Sequence, residues 1–156
     1  VRMNNINDLQ IGKAGEYLVC ADLILHGYIA FPSEQGLPYD VIFEYNNKLL
    51  KIQVKTTRST RNVPQRKTPV KSYIFNIKRR GKNNQSRSSK ETCDIYALVA
   101  LDNKTIGYMI NKDVKETMNF RSKDFEGQYR DENIKIKSTG KYLEDLTLEK
   151  CLVELG

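Results

Sequence analysis

One predicted strand of the sequence places two lysines and a glutamine on the same face. In KLLKIQVKTT, residues 48–57, apolar side chains alternate with Lys51, Gln53 and Lys55, and successive side chains of a strand point to opposite faces. An Asn-Asn pair before this run suits a tight turn from a preceding strand over residues 39–45. If the two strands pair antiparallel, Asp40 lies close to Gln53 and Lys55.

These groups together could carry out metal-assisted hydrolysis of a phosphodiester. The carboxylate of Asp40 and the amide oxygen of Gln53 are hard oxygen ligands of the kind that Mg²⁺ prefers. The backbone carbonyl of Val54 supplies a third candidate ligand. The ammonium of Lys55 can lie beside the attacking water or the phosphate.

The charge of the chain indicates a polyanionic partner. The formal net charge is +7 and the pI is about 9.3, and the commonest polyanion is nucleic acid. Between Lys55 and Lys90 no Asp or Glu occurs, although a solvated loop with a positive bias would have the same composition. We expect an insert over residues 58–90 to bind DNA through its basic residues, which are Arg58, Arg61, Arg66, Lys67, Lys71, Lys78, Arg79, Arg80, Lys82 and Arg87.

The few cysteines and the single histidine argue against a zinc site. Cys20, Cys93 and Cys151 are widely spaced, and His26 is the only histidine, so no ligand cluster with zinc spacing is present. Free thiols are typical of a reducing compartment. Since the sequence has no signal-peptide pattern and no apolar run near about 18 residues, we expect a soluble, cytoplasmic protein.

The element pattern predicts a single α/β (α+β) domain over residues 3–156. A helix is expected over residues 8–26, capped by Asp8 and ended by Gly27. The run over residues 94–102 is continuously apolar between its end aspartates, as in a central strand that is buried on both faces. Other strands are expected over residues 28–34, 39–45, 48–57, 72–78, 105–111 and 133–137, with a short helix from Asn111 and a helix or turn near residues 143–150. The apolar positions assigned to the first helix are Leu9, Ile11, Tyr17, Leu18, Ala21, Ile24 and Leu25.

The same residues resemble the signature of the PD-(D/E)XK nuclease superfamily. Pro38-Tyr39-Asp40 is similar to its Pro-Asp with one residue inserted, and Gln53-Val54-Lys55 is similar to its (Asp/Glu)-x-Lys. The segment GKAGEYLVCADLILHGY resembles the opening helix of the archaeal Holliday-junction-resolvase-like branch, in which a helical glutamate points into the site. Glu16 matches that glutamate, and the resemblance covers residues 12–57.

The resemblance implies a restriction-endonuclease-like core, in which an N-terminal helix precedes a mixed β-sheet with flanking short helices. Asp40 and Gln53 would hold Mg²⁺ or Mn²⁺ with the Val54 carbonyl. Lys55 would orient or help to deprotonate the attacking water, and Glu16 would assist directly or through water. Gln53 departs from the superfamily, because most members have an acid there, and a neutral amide should bind the metal more weakly.

Among branches of the superfamily, the Gln-x-Lys site, small size and basic insert are most similar to intron-encoded homing endonucleases. That similarity implies double-stranded DNA as partner and cleavage of a long specific site. A junction resolvase or a restriction enzyme remains an alternative within the class. A non-catalytic nucleic-acid-binding module of the same fold is the alternative from another class, and Gln53 is its best support.

The expected double-strand cleavage also predicts self-association. One active site cuts one strand, so two sites of opposite polarity are needed, and a homodimer is the minimum. A long target requires more protein surface than two short chains easily provide, which favours a tetramer. We expect the apolar association surface to lie after residue 105, at residues such as Met109, Ile110, Phe120 and Phe125.

Overall fold

The computed structural model describes residues 5–62, 71–77, 93–124 and 141–156 of the chain. In chain order its elements are helix α1 (Asp8–Leu25) and strands β1 (Ala30–Pro32), β2 (Val41–Tyr45), β3 (Lys48–Thr57), β4 (Arg61–Asn62), β5 (Lys71–Asn76), β6 (Ile95–Ala100) and β7 (Thr105–Ile110), then a 3₁₀ turn (Asn111–Asp113), strand β8 (Thr117–Phe120), a second 3₁₀ turn (Leu143–Asp145) and helix α2 (Leu148–Leu155).

Two sheets form the framework. The larger sheet has the strand order β1-β2-β3-β6-β7, in which β3 and β6 are parallel and the other neighbours are antiparallel. The smaller sheet has the order β4-β5-β8 and is antiparallel. The predicted α/β class with a mixed sheet and short flanking helices is therefore confirmed.

The larger sheet buries both faces of its interior strand β6, which lies between β3 and β7. On one face, Ile95, Ala97 and Val99 pack with residues of α1 and α2. On the other face, Tyr96 and Leu98 pack with residues of β5 and β8 in a second core cluster. All six residues of β6 are buried, so the prediction of a central strand is confirmed.

Helix α1 begins at a different cap from the predicted one. Asn7, not Asp8, caps the helix: its side chain accepts a hydrogen bond from the Gln10 backbone N–H at 2.9 Å, and the Gln10 side chain accepts one from the Asn7 N–H at 3.0 Å. The helix ends at Leu25, and Gly27 has a φ of 90°, as expected of a glycine stop. In the described part of the chain, no helix is long and apolar enough to cross a membrane.

The buried face of α1 also differs from the apolar positions assigned from the sequence. It consists of Ile11, Gly15, Val19, Cys20 and Leu23, which follow a spacing of three to four residues. Five of the assigned positions are instead exposed, because the helix carries apolar residues on more than one face while only one face can pack on the sheet. These positions are Leu9, Tyr17, Ala21, Ile24 and Leu25.

Some predicted boundaries also change. The strand expected over residues 28–34 is reduced to β1, because the chain turns after Pro32, and the Ser33 hydroxyl donates to the Tyr39 carbonyl across that turn at 2.5 Å. The short helix expected from Asn111 is a 3₁₀ turn, and residues 143–150 contain a 3₁₀ turn and the start of α2. The strand expected over residues 133–137 lies outside the described residues.

The predicted association surface is wrong for three of its residues. Met109, Ile110 and Phe120 are 7%, 8% and 1% exposed, because they belong to the two core clusters of the chain itself. They therefore offer little apolar area to a second copy. Phe125, the fourth residue of that expectation, lies outside the described residues.

A different apolar surface is left on the larger sheet. Ile29, just before β1, and Phe31, on β1, lie on the same side of the sheet. In the strand register, Glu44 of β2 lies next to Ile29, and Leu49 of β3 lies next to Glu44, on that same side. Ile29, Phe31 and Leu49 are 65%, 41% and 62% exposed. On the same face, residues of β6 and β7 pack against the smaller sheet in the second core cluster. We call this surface, defined by Ile29, Phe31 and Leu49, the open sheet face.

The approach of α1 to β3 generates the first prediction. A Cβ added at Gly15 would lie 1.9 Å from Thr56 Oγ1 and 3.0 Å from Thr56 Cβ. Gly15→Ala should therefore destabilise the fold by about 1–3 kcal/mol through overpacking, despite the better helix propensity of alanine. Thr56→Ala in the same chain should restore most of the loss. Denaturant unfolding measures both effects.

A neighbouring glycine supplies the control for this prediction. A Cβ added at Gly12 meets nothing within 4 Å, so Gly12→Ala should stabilise the protein by up to about 1 kcal/mol. Equal effects of the two substitutions would contradict a tight contact between Gly15 and Thr56.

Candidate active site

Asp40 is held by the strand that carries the Gln-x-Lys residues. It immediately precedes β2, and its backbone N–H donates to the Ile52 carbonyl at 2.8 Å. Its Oδ2 accepts hydrogen bonds from Gln53 Nε2 at 2.7 Å and from the Val54 backbone N–H at 2.8 Å. The β2–β3 hairpin thus brings Asp40 and Gln53 together, as the antiparallel pairing predicted.

Lys55 and Glu16 complete the surroundings of Asp40 from two sides. Lys55 lies on the same face of β3 as Gln53 and lines a cleft of about 660 Å³ between the start of α1, the end of β3 and β5. Glu16 projects from α1 with a side chain that is 20% exposed. It lines a second depression, of about 360 Å³, together with Asp40.

The electrostatics of Asp40 reflect partial burial and mixed neighbours. Burial raises the pKa of Asp40 above its ordinary value, and the nearby Glu16 carboxylate acts in the same direction. The hydrogen bond from the Val54 N–H and the charges of Lys55 and Lys13 lower the Asp40 pKa and oppose that rise. A positive charge brought to this carboxylate would relieve the cost of keeping it ionised.

Lys13 is a residue of the site that the sequence reasoning missed. Its Nζ lies 2.6 Å from Glu16 Oε2, and it lines the same depression as Glu16 and Asp40. The hydrogen bond to Glu16 raises the pKa of Lys13, so the ammonium stays charged. The spacing of three residues from Glu16 on a predicted helix was the available signal, because such residues share a helix face.

The donors around Asp40 fit a small hard cation. A carboxylate can accept about four hydrogen bonds or ligands, so two donors on Oδ2 leave capacity on Asp40. Gln53 uses its N–H to bond Asp40, and its amide oxygen is the atom suited to a metal. Val54 orients Asp40 through its N–H, and its carbonyl is the third candidate ligand.

The neutral amide also makes this a weakly charged site. Within the ranges that the structure describes, no group of three or more His, Cys, Asp or Glu side chains is arranged to hold a metal. At position 53 this chain has a neutral glutamine, which adds no carboxylate to Asp40 and Glu16.

The basic residues expected to bind DNA divide into three groups. Arg58 donates from Nη2 to the Ile6 carbonyl at 2.5 Å and lies 3.4 Å from Asp8 Oδ1, so it fastens the start of α1 to the end of β3. Arg61, on the rim of the larger cleft, and Lys71, on β5, are exposed. The remaining seven lie outside the described residues: Arg66, Lys67, Lys78, Arg79, Arg80, Lys82 and Arg87.

Comparison with known proteins establishes the class of the molecule. Residues 6–139 match the PD-(D/E)XK endonuclease family, and because this match covers most of the chain, the protein belongs to that family and is a nuclease. No curated protein matches the sequence.

A solved structure shares the fold. It is that of the bacterial homing endonuclease I-Ssp6803I, which is 14% identical in sequence and superposes with a TM-score of 0.53. The similarity covers 73% of this chain and 75% of that one. The expectation of a restriction-endonuclease-like α/β fold is confirmed.

The partial burial of Asp40 generates a prediction about stability. Its pKa is higher folded than unfolded, so its contribution to stability is fully present at low pH and is lost as pH rises through the folded pKa. Asp40→Asn mimics the protonated form, and its single carbonyl oxygen can accept both bonds now made to Oδ2. In metal-free buffer near pH 8 the variant should melt at a higher temperature, by about 2–4 °C for each kcal/mol recovered.

The pH dependence of melting provides the internal control. The difference between Asp40→Asn and the unaltered protein should shrink below about pH 4, where aspartate itself becomes protonated. A variant that melts lower at pH 8 would show that the charge of Asp40 stabilises the fold.

Proposed function

We propose that this nuclease is a metal-dependent DNA endonuclease that hydrolyses phosphodiester bonds in both strands of a long, specific double-stranded site. The observation that carries the proposal is the hydrogen-bonded unit of Asp40, Gln53 and Val54, with Lys55 on the same strand and Glu16 on the facing helix. This set combines candidate oxygen ligands with the ammonium of Lys55 in a chain of the PD-(D/E)XK endonuclease family.

Each residue has a distinct task in the proposed reaction. Asp40 and Gln53 hold Mg²⁺ or Mn²⁺ together with the Val54 carbonyl. When bound, the metal supplies Lewis acidity and lowers the pKa of a water molecule. Lys55 orients the attacking water and stabilises the negative charge that develops on the phosphate. Glu16 assists directly or through a water molecule.

The distribution of charge supports DNA as the substrate. The chain carries a net charge of +7, and residues 55–90 contain basic but no acidic side chains. Among the basic residues of that stretch that the structure describes, Lys55, Arg58 and Arg61 line the larger cleft. A duplex in this cleft would pass Lys55 and Arg61. We propose the basic residues of the insert that lie outside the described residues as further DNA contacts.

The choice of a homing endonuclease rests on similarity and on the insert. The solved structure described above is named as a bacterial homing endonuclease. The polar and basic insert suits readout of base edges better than recognition of a junction by its shape. A Holliday junction resolvase or a restriction enzyme is the alternative within the class, and we propose a cytoplasmic location for either activity.

A non-catalytic DNA-binding protein is the alternative that Gln53 favours, since the site lacks the usual second acid. The endonuclease and the non-catalytic protein are distinguished by incubating supercoiled plasmid with the protein, once with Mg²⁺ and once with EDTA. Nicked or linear DNA that appears only with Mg²⁺ supports an endonuclease. Binding without cleavage in either Mg²⁺ or Mn²⁺ supports the non-catalytic alternative.

Substitutions in the site should separate catalysis from binding. Asp40→Ala and Lys55→Ala should each lower the cleavage rate by about 10²-fold or more, because both groups act at the scissile phosphate. DNA affinity should stay within a few-fold, since the basic insert supplies most of it. Gln53→Ala should lose much of the activity, whereas Gln53→Glu restores the usual acid and should keep it. Near-normal turnover of Asp40→Ala or Lys55→Ala would overturn the assignment.

Cleavage of both strands requires a second copy of the site. We propose a homodimer as the minimum and a tetramer as the working assembly, with contact between copies at the open sheet face. This face combines exposed apolar residues with Glu44 and Lys51, which lie among them in the β2–β3 register. Two copies related by a two-fold axis can set Glu44 of one against Lys51 of the other, so the face is complementary to itself.

The assembly is tested by a charged substitution in the open sheet face. Leu49→Glu should shift the protein toward the mass of one 18.0 kDa chain in light scattering, because it places a charge in the apolar contact. Leu25→Glu is the matched control, since Leu25 is 86% exposed at the end of α1 and lies outside this face. Unaltered protein that is monomeric at micromolar concentration and on target DNA would contradict the assembly.

A further inference from the structure

Lys13 has a location that its present contacts do not explain. Its side chain is 52% exposed, and the contacts described for it are the pair with Glu16 and an approach of 5.9 Å to the Tyr17 ring. Both partners belong to the same helix turn, so neither ties Lys13 to the rest of the fold. Lys13 nevertheless lines the depression that contains Asp40, and its charge lowers the pKa of that carboxyl.

The pair with Glu16 is easy to break. Ion pairs between residues three or four positions apart on a helix are weak when one partner is open to solvent, as the half-exposed Lys13 is. A phosphate offers a full negative charge, and each phosphate neutralised on a duplex also releases condensed counterions. A DNA backbone beside Asp40 would therefore compete successfully with Glu16 for Lys13.

The depression around Lys13 adjoins the larger cleft. Asp8 and Gly12 line both cavities, so the two meet across the first turns of α1. Gly12 has no side chain to separate them, and a Cβ added there would meet nothing within 4 Å. A phosphate backbone that passes Arg61 and Lys55 in the cleft could continue over Gly12 to Lys13.

We propose that Lys13 is a phosphate-binding residue that Glu16 holds in position until DNA arrives. This inference rests on the proposed DNA substrate. When DNA enters, the Lys13 ammonium exchanges the Glu16 carboxylate for a backbone phosphate next to the scissile one. The exchange also frees the Glu16 carboxylate beside Asp40, at the time when the site must take up its cation.

The salt dependence of DNA binding tests this exchange. A fluorescent 30-base-pair duplex is titrated with each protein in EDTA, which prevents cleavage, at 50 to 200 mM salt. Lys13→Met should reduce the slope of log affinity against log salt by about one unit. Over that fourfold range of salt concentration, the variant should lose about 3.5-fold less affinity than the unaltered protein loses. Lys13→Arg keeps the charge and should restore the slope.

Lys112→Met is the matched control, because Lys112 is 64% exposed and is also paired with a glutamate, Glu154, at 3.1 Å. This substitution removes the same charge at the turn after β7, beside α2, and should leave the salt slope unchanged. Melting temperatures should be alike for all variants, since neither lysine is buried.

A Lys13→Met slope equal to that of the unaltered protein overturns the inference, even if cleavage falls, because Lys13 would then act only through Glu16. If the unaltered protein binds no duplex and cuts no plasmid, the proposed function itself fails.

Discussion

The site depends on the two hydrogen bonds that Asp40 Oδ2 accepts from β3. Because the donors are Gln53 Nε2 and the Val54 N–H, the position of Asp40 is set by the register of the β2–β3 hairpin. Asn46 and Asn47 have φ values of 50° and 59°, which are suited to the tight turn that fixes this register. A slip by one residue would turn Gln53 and Lys55 to the opposite face and bring Ile52 and Val54 out of the core.

Strand β3 also connects the site to the rest of the molecule. It pairs with β2 on one side and with the buried interior strand β6 on the other. Its Thr56 meets Gly15 of α1, and Arg58, just beyond its end, bonds the Ile6 carbonyl before that helix. Glu16, next to Gly15, is therefore positioned relative to Asp40 through the same strand. The helix and the hairpin cannot move independently without breaking these contacts.

Local patterns made part of this arrangement predictable. The bounds of β3 match the alternation in residues 48–57, and the continuous apolar run over residues 94–102 predicted β6. Both predictions succeeded because each pattern reflects the burial of its own strand. The placement of Asp40 beside Gln53 followed from the hairpin geometry.

Features that depend on distant segments were not predictable in this way. Met109 and Phe120 are buried because β5 and β8 pair across more than forty residues of sequence, as in the Phe75–Met118 register. The face of α1 that is buried depends on the sheet, because the helix carries apolar side chains on more than one of its faces. Arg58 lines the larger cleft, and its residue type alone gave no sign of its additional contact with the Ile6 carbonyl.

We propose above all that the unit of Asp40, Gln53 and Lys55 cuts double-stranded DNA with the help of a divalent metal. The most direct measurement is incubation of the unaltered protein with a randomised library of duplex DNA, with and without Mg²⁺, followed by sequencing of the new ends. The account predicts metal-dependent ends on both strands, at a fixed offset and within one long, partly symmetric sequence. Duplexes that are bound but remain uncut with Mg²⁺ and with Mn²⁺ would contradict it.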